Sequence, residues 1–385
     1  MKTPRPFAFS APTQTFFGAG EHQRITDHLP PHCRHVVLVQ GSSCSASAPV
    51  LACLQNAGLE ITQVYCDGEP TVPKINALLG RLAGNSADVV IACGGGSVLD
   101  TAKVIRFALF HALTSYEDFA TITPEQMNTP CGLALIAVTT TAGTGAEVTA
   151  NAVIGVPAQA AKISLRGRAL CADIAIVDPQ MMQGAPDAVV LYSGLDAVTQ
   201  IFESYTSNAA TPFSDALTLA TKALGLPALK AVLEDRHHSA WADLAWVAHA
   251  SGLALANSGL GAAHGLASVI GGQYDVPHGA LCGRLLIPVL RQNLRRSEEG
   301  SDTHARIASC MADVADAFTP TLPDDLLSGF EAWVDAKGLP RLADWSVTAD
   351  DLSDIATRGA AASSSQKNAI PLTQDDYLQV LQDAL

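Results

Sequence analysis

Charge is scarce in this chain: Asp, Glu, Lys and Arg make up 16% of its 385 residues, and basic residues are outnumbered 23 to 37, for a formal net charge of -14. The one basic neighbourhood, Arg291 to Arg296, is followed at once by Glu298 and Glu299. Nothing concentrates positive charge against a phosphate backbone, so nucleic acid is not an expected partner. The nine cysteines form no C-x-x-C pair and no metal-type spacing, which reads as free thiols in a reducing compartment, the cytoplasm. No uninterrupted apolar run approaches the roughly 20 residues that cross a bilayer. The start, Met1 to Pro6, leads into a polar stretch without the apolar core of a secretory signal. A soluble, mature, cytoplasmic protein without a membrane partner is the expectation.

What the chain does have is apolar residues, 48% of the total, and enough length for two cores. A single core usually stops growing at roughly 250–300 residues, so two domains are expected. From residue 34 to about 180, short β-branched runs alternate with helical segments. His35–Gln40, Ile61–Tyr65, Asp88–Cys93, Leu133–Thr139 and Ile174–Val177 read as strands, and residues 46–57, 72–83 and 98–110 as helices. Fully apolar strands such as Val89-Val90-Ile91 imply a parallel sheet covered on both faces, a nucleotide-binding α/β architecture.

Beyond Pro186 apolar residues recur every three or four positions and nothing reads as a strand, so the second half is expected to be all α. Ile307, Met311, Val314 and Phe318 fall on one helix face after the caps Ser301 and Asp302, with Pro320 as the stop. A helix around 325–337 ends at Gly338, with Pro340 beyond. The expected domains are residues 1–185 and 186–385.

Strand, glycine turn and helix start follow one another in the run from Val89 to Lys103. Successive glycines at 94, 95 and 96 let a diphosphate approach the backbone, and the free N–H groups of the following helix favour its charge. Gly95, Gly96, Ser97 and, further into the helix, Asp100 are therefore candidate cofactor contacts. The bland alternative is a turn that merely reverses the chain. The run is not the G-x-G-x-x-G fingerprint, because Leu99 stands where the third glycine belongs. A second turn, Thr139-Thr140-Thr141-Ala142-Gly143-Thr144-Gly145, follows another apolar strand. Hydroxyls at Thr139, Thr140 and Thr144 suit ribose, phosphate or the nicotinamide amide, although threonine also favours strand ends and turns for its own sake.

Asp196 and Gln200 are four residues apart and share a helix face. His264 and His278 stand in glycine-flanked, mostly apolar surroundings. One carboxylate with two imidazoles suits Fe(II) or Zn(II) with positions left open for substrate, whereas each histidine alone reads more readily as a hydrogen-bonded structural residue, so the inference needs their joint context. His32, His35, His237, His238, His249 and His304 lack such a setting and read as surface or packing residues.

Together these stretches resemble the iron-containing, or group III, alcohol dehydrogenase family, related to glycerol dehydrogenase and dehydroquinate synthase. The resemblance runs through Phe16–Gly20, Gly94–Lys103, Thr139–Glu147, Asp173–Pro179, Gly194–Tyr205, His264–Gly272 and Asp275–Pro288, nearly the whole chain in order. It implies a dehydroquinate synthase-like fold, with Gly95, Gly96 and Ser97 on the cofactor diphosphate, and Thr140, Thr144 and Lys162 in contact with the cofactor. It further implies a metal on Asp196, His264 and His278, an active site in the cleft between the domains, and a homo-oligomer, often a dimer.

Three departures stand out. Gln200 occupies the place of a fourth ligand that is usually histidine, so it becomes a weaker amide ligand or gives way to water. Ser268 stands where a further histidine often helps relay protons. The first strand ends in Gln40, Gly41 and Ser42 where NAD-specific members usually carry an aspartate. Neutral donors there accept a 2'-phosphate that a carboxylate would repel, so NADP(H) is expected over NAD(H). The expected activity is metal-dependent hydride transfer between a nicotinamide and a small alcohol or aldehyde, with catalysis resting on Asp196, His264 and His278. The alternatives are a metal-free reductase of the maleylacetate type and a non-redox lyase like dehydroquinate synthase.

Overall fold

The structure is a computed structural model that describes residues 6–43, 45–159, 161–236 and 239–385. His237 and His238, the first five residues and Cys44 lie outside the described residues. The chain divides into two compact units, residues 11–185 and residues 186–385, and the stretch ending at Ser10 belongs with the second.

The first unit holds a six-stranded sheet in the order β1-β8-β5-β4-β2-β3, every pair parallel. Its strands are β1 (Gln14–Phe17), β2 (His35–Gly41), β3 (Glu60–Cys66), β4 (Val89–Gly94), β5 (Ala134–Thr139) and β8 (Ile174–Val177). Helices α1 (Ala48–Asn56), α2 (Val72–Leu82), α3 (Gly96–His111) and the short α4 (Pro124–Asn128) connect them, and a separate antiparallel hairpin pairs β6 (Asn151–Val156) with β7 (Ala161–Arg166). The five expected strands match to within a residue at each end.

Two features were not legible. Strand β1 is only four residues long and only partly buried, so it carries no run of apolar residues. The hairpin is largely half-buried and is held from outside its own sequence. Lys103 Nζ donates to the carbonyls of Thr149 (3.1 Å) and Asn151 (2.7 Å), and Asp100 accepts from Val153 N at 2.9 Å.

Strand order matters for the site. From β2 the chain goes outward to β3, then returns across to β4 and continues the other way to β5. The carboxyl ends of β2 and β4 therefore form a topological switch point, the place where parallel α/β sheets leave a crevice for a ligand. Buried strand β4, apolar throughout apart from its terminal glycine, delivers the chain to that crevice.

The second unit is helical, as its three- and four-residue periodicity predicts: α5 (Asp187–Thr206), α6 (Pro212–Thr221), α7 (Gly225–Asp235), α8 (Ala240–Ser258), α9 (Ala262–Gln273), α10 (His278–Arg296), α11 (Asp302–Ala317), α12 (Ser328–Ala336), α13 (Leu352–Ala361) and α14 (Gln374–Ala384). Helix α5 is buried on all sides from Gly194 to Thr206, so it is a central helix, and each polar residue on it needs a partner. In α11 the Ser301 hydroxyl accepts from His304 N at 3.1 Å, as expected of the cap. The buried face there is Ile307, Cys310 and Val314, and Met311 turns partly outward.

Residues 6–10 fall differently from the expected first domain. Residues 6–10 pack with the helical unit: Phe9 stacks on Phe213 with ring centroids 4.5 Å apart, and Ser10 N donates to Asn257 Oδ1 at 2.7 Å. Residues 212–235 together have the length and mean hydropathy of a bilayer span, but charged residues interrupt the stretch, so it is no continuous apolar run. Within that stretch Asp215 pairs with Arg306, and Lys222 with Asp313 at 2.6 Å, so these two charges are engaged inside the helical unit.

Candidate active site

The register of the sheet brings the cofactor candidates of the first unit to one edge. Gln40 pairs with Cys93, and Gly94 with Thr139, so the ends of β2, β4 and β5 lie side by side. Thr140 N donates to Gly94 O at 3.0 Å, tying the threonine turn to the glycine turn. The glycines are needed by the protein's own packing as well as by any ligand. A Cβ on Gly95 would lie 3.1 Å from Thr141, and one on Gly96 would lie 2.9 Å from Thr144. Gly95, Gly96 and Ser97 remain partly exposed while Val98 and Leu99 are buried, so the first turn of α3 presents its unpaired N–H groups outward.

Other expected contacts are already engaged. Gln40 is fully buried; its Nε2 donates to Gln63 Oε1 at 2.9 Å and its Oε1 accepts from Ser47. That leaves Gly41 and Ser42 as the accessible end of β2. Asp100 is committed to the hairpin, and burial pushes its carboxyl above the ordinary range. Lys162, on β7, pairs with Glu69 at 2.6 Å.

In the helical unit Asp196, His264, His278 and Cys282 turn one donor atom each into a common space, all within 4.8 Å of one another. Asp196 comes from α5, His264 from the first turn of α9, and His278 and Cys282 from the first two turns of α10. His264 Nε2 is 3.2 Å and His278 Nε2 3.9 Å from Asp196 Oδ1, and Cys282 Sγ is 3.6 Å from His278 Nε2. Asp196 and His264 side chains are 2% and 4% exposed, whereas His278 keeps 37%, so the cluster opens to solvent along the His278 edge.

Glycines make this convergence possible. A Cβ on Gly279 would sit 2.2 Å from Tyr192 O, and one on Gly283 would sit 2.5 Å from Leu195 Cδ1. Without side chains at those two positions, α10 can lie against α5 closely enough to bring His278 and Cys282 to Asp196.

Both ring nitrogens of His264 face carboxylates. Nδ1 meets Glu203 Oε2 at 2.6 Å while Nε2 meets Asp196, and the other Glu203 oxygen accepts from Ala263 N at 2.7 Å. A carboxylate only accepts, so Glu203 holds the proton on Nδ1 and leaves Nε2 aimed at Asp196. A neutral imidazole has no second proton for Asp196, so either a proton or a cation must stand between them.

The titration directions say the same. Burial alone would lower His264, but its interactions with Cys282 and Glu203 raise it well above the ordinary imidazole value. Interactions with Cys282 and Asp196 raise His278 against its burial. Burial alone would raise Asp196, yet the His264 hydrogen bond and the two imidazole charges hold it below the usual carboxylate range. The donor set is an electron-rich, buried cluster of carboxylate, imidazole and sulfur, which fits a divalent transition-metal ion.

Gln200 is buried, and its Oε1 accepts from Ser251 Oγ at 2.6 Å. Ser268 is exposed, its hydroxyl donating to Gly265 O at 2.8 Å. His35 bonds to Thr62 at 2.8 Å and His304 to Ser297 at 2.9 Å, while His249 is buried away from the cluster's donor set. Two residues of the cluster escaped the sequence reading, Glu203 and Cys282. Each had a signal: Glu203 is seven residues after Asp196, and Cys282 four after His278, so both share a helix face with a candidate ligand.

Comparison with known proteins identifies the family. The family model for iron-containing alcohol dehydrogenase matches residues 12–179, and the model for the C-terminal part of the same family matches residues 190–385. The chain is similar to the probable alcohol dehydrogenase EutG of Salmonella typhimurium, 33% identical over 252 residues, which cover 64% of this chain and 62% of that protein. It is similar to the NAD-dependent methanol dehydrogenase of Bacillus methanolicus, 27% identical over 350 residues and 89% of each. Its fold matches a solved structure of a 1,3-propanediol oxidoreductase with a TM-score of 0.83 and 26% identity, over 99% of this chain and 100% of that one. These likenesses favour neither the maleylacetate-type nor the lyase alternative. With both halves matched and the metal-type donors assembled, the chain belongs to the iron-containing alcohol dehydrogenase family and is an oxidoreductase acting on CH–OH groups.

Proposed function

We propose that this alcohol dehydrogenase exchanges hydride between NADP(H), in preference to NAD(H), and a small alcohol or its aldehyde, with Asp196, His264 and His278 holding one divalent metal ion. The observation that carries the reading is the convergence of those three side chains, from three helices distant in sequence, on a space under 5 Å across. When bound, the metal supplies Lewis-acid polarisation of the substrate oxygen and the nicotinamide supplies or takes the hydride.

The chain's own residues supply the rest. Glu203 fixes the Nδ1–H tautomer of His264 and so keeps the Nε2 lone pair available to a cation. Buried Asp196 contributes the negative charge that balances a cation. His278, the exposed member, forms the edge open to substrate. With serine at 268, the chain has no ionisable group at the relay position. In the first unit, Gly95, Gly96 and Ser97 offer N–H groups to the diphosphate, with Thr139, Thr140 and Thr144 beside them. The preference for a 2'-phosphate is supported by Gly41 and Ser42, which place no carboxylate at the accessible end of β2.

The eight described cysteines are free thiols, which supports a cytoplasmic protein, and a homodimer is the assembly proposed. The test is metal analysis of protein purified without chelators, followed by an alcohol and aldehyde panel with NADPH and NADH. One Fe(II) or Zn(II) per chain and higher kcat/KM with NADPH are expected. Asp196→Ala should lose metal and turnover together; turnover retained in metal-free Asp196→Ala protein would contradict the mechanism.

A further inference from the structure

We infer that Cys282 is the fourth protein donor of the metal centre, in the ligand place that Gln200 leaves; this rests on the metal reading proposed above. Its Sγ belongs to the same set of mutually close donors as Asp196, His264 and His278, and the residue is fully buried. Tetrahedral angles with bonds of ~2.0–2.3 Å require donor–donor separations of roughly 3.3–3.8 Å. The separations here are 3.2 Å for His264 to Asp196, 3.6 Å for Cys282 to His278 and 3.9 Å for His278 to Asp196. Three of the six separations are thus close to what one ion needs, and the other three lie within 4.8 Å.

The placement of Cys282 is built in. It follows His278 by one helical turn, so both lie on one face of α10. That face is brought onto α5 by Gly279 and Gly283, whose missing side chains would otherwise strike Tyr192 O and Leu195. Cys93 and Cys310 are equally buried, but neither belongs to a group of metal-type donors among the described residues.

Gln200 is engaged elsewhere, with its amide oxygen receiving the Ser251 hydroxyl. A neutral amide oxygen is also a poorer donor to a first-row transition metal than a thiolate. On binding, the thiol proton leaves to solvent and the sulfur electron pair forms the metal bond; no oxidation or reduction is involved. With four protein donors, a substrate oxygen would have to enter as a fifth ligand, and the exposed His278 edge is where it could approach.

Cobalt(II) loading of the full chain under anaerobic conditions tests the assignment, because thiolate ligation produces a near-ultraviolet sulfur-to-cobalt charge-transfer band that oxygen and nitrogen ligands lack. The expected result is one cobalt per chain with that band in the parent protein and in Gln200→Ala. The band should vanish in Cys282→Ala, and in Cys282→Ser should the alanine variant fold poorly. One cobalt per chain without the band overturns this inference alone, as does a band that persists in a Cys282 variant. A protein that takes up no cobalt overturns it together with the metal reading beneath it.

Discussion

Glu203→Gln changes one acceptor in the centre without touching a proposed ligand or the shape of the side chain. In the parent, the two carboxylate oxygens receive two donors, Ala263 N–H at 2.7 Å and His264 Nδ1–H at 2.6 Å, and the residue is buried. Glutamine offers one oxygen and one NH2, so one buried donor must face another donor. Losing a charged hydrogen bond of this kind costs about 1.5–3 kcal/mol. Partners of metal-binding histidines typically change metal affinity by roughly 10–100-fold, equivalent to about 1.4–2.7 kcal/mol, so the two scales agree. Competition against a chromophoric chelator, with Zn(II) as the probe, should therefore show a Kd raised 10–100-fold. Thermal unfolding of the metal-free protein should show a lower Tm in parallel. A folded Glu203→Gln protein whose Zn(II) affinity lies within threefold of the parent would refute the claim that Glu203 positions His264.

Other perturbations probe the same physics. Gly279→Ala drives a Cβ to 2.2 Å from the Tyr192 carbonyl, so calorimetry should show about 1–3 kcal/mol of destabilisation or more, with weakened metal binding; Gly184→Ala, whose Cβ meets nothing within 4 Å, should stay near neutral. Asp376 is buried; burial would raise its carboxyl, but bonds from Thr373, Arg296 and Gln292 hold it below its ordinary value. Because the folded pKa is the lower one, this stabilisation is present above the unfolded pKa of about 4 and disappears as pH falls through the folded value. Urea unfolding should then find Asp376→Asn less stable by about 1.5–3 kcal/mol at pH 7, with the gap closing in acid; a gap independent of pH would refute this. Ser42→Asp should lower kcat/KM for NADPH relative to NADH by about tenfold or more, since a carboxylate at the end of β2 repels a 2'-phosphate.

The layers of the first unit and the helical character of the second were set by sequence-local properties. Runs such as Val89-Val90-Ile91 have no polar residue to face water, so they become central strands, and the glycine turn is confined to where such a strand ends. Asp196, His264 and His278 could be named from residue type and glycine-flanked setting. Tertiary structure alone decided the donor set around them. Gln200 shares the helix face of Asp196 but bonds to Ser251 on α8, whereas Cys282, from a set of cysteines without metal-type spacing, is carried into the cluster by α10. Gln40 was likewise a reasonable ribose contact by position until Gln63 and Ser47 claimed its amide. Periodicity and turn chemistry act between residues a few positions apart, and the sequence expresses them directly. Which polar atoms meet across 60 or more residues depends on how closely two helices approach, and here that distance is set by the missing side chains at Gly279 and Gly283.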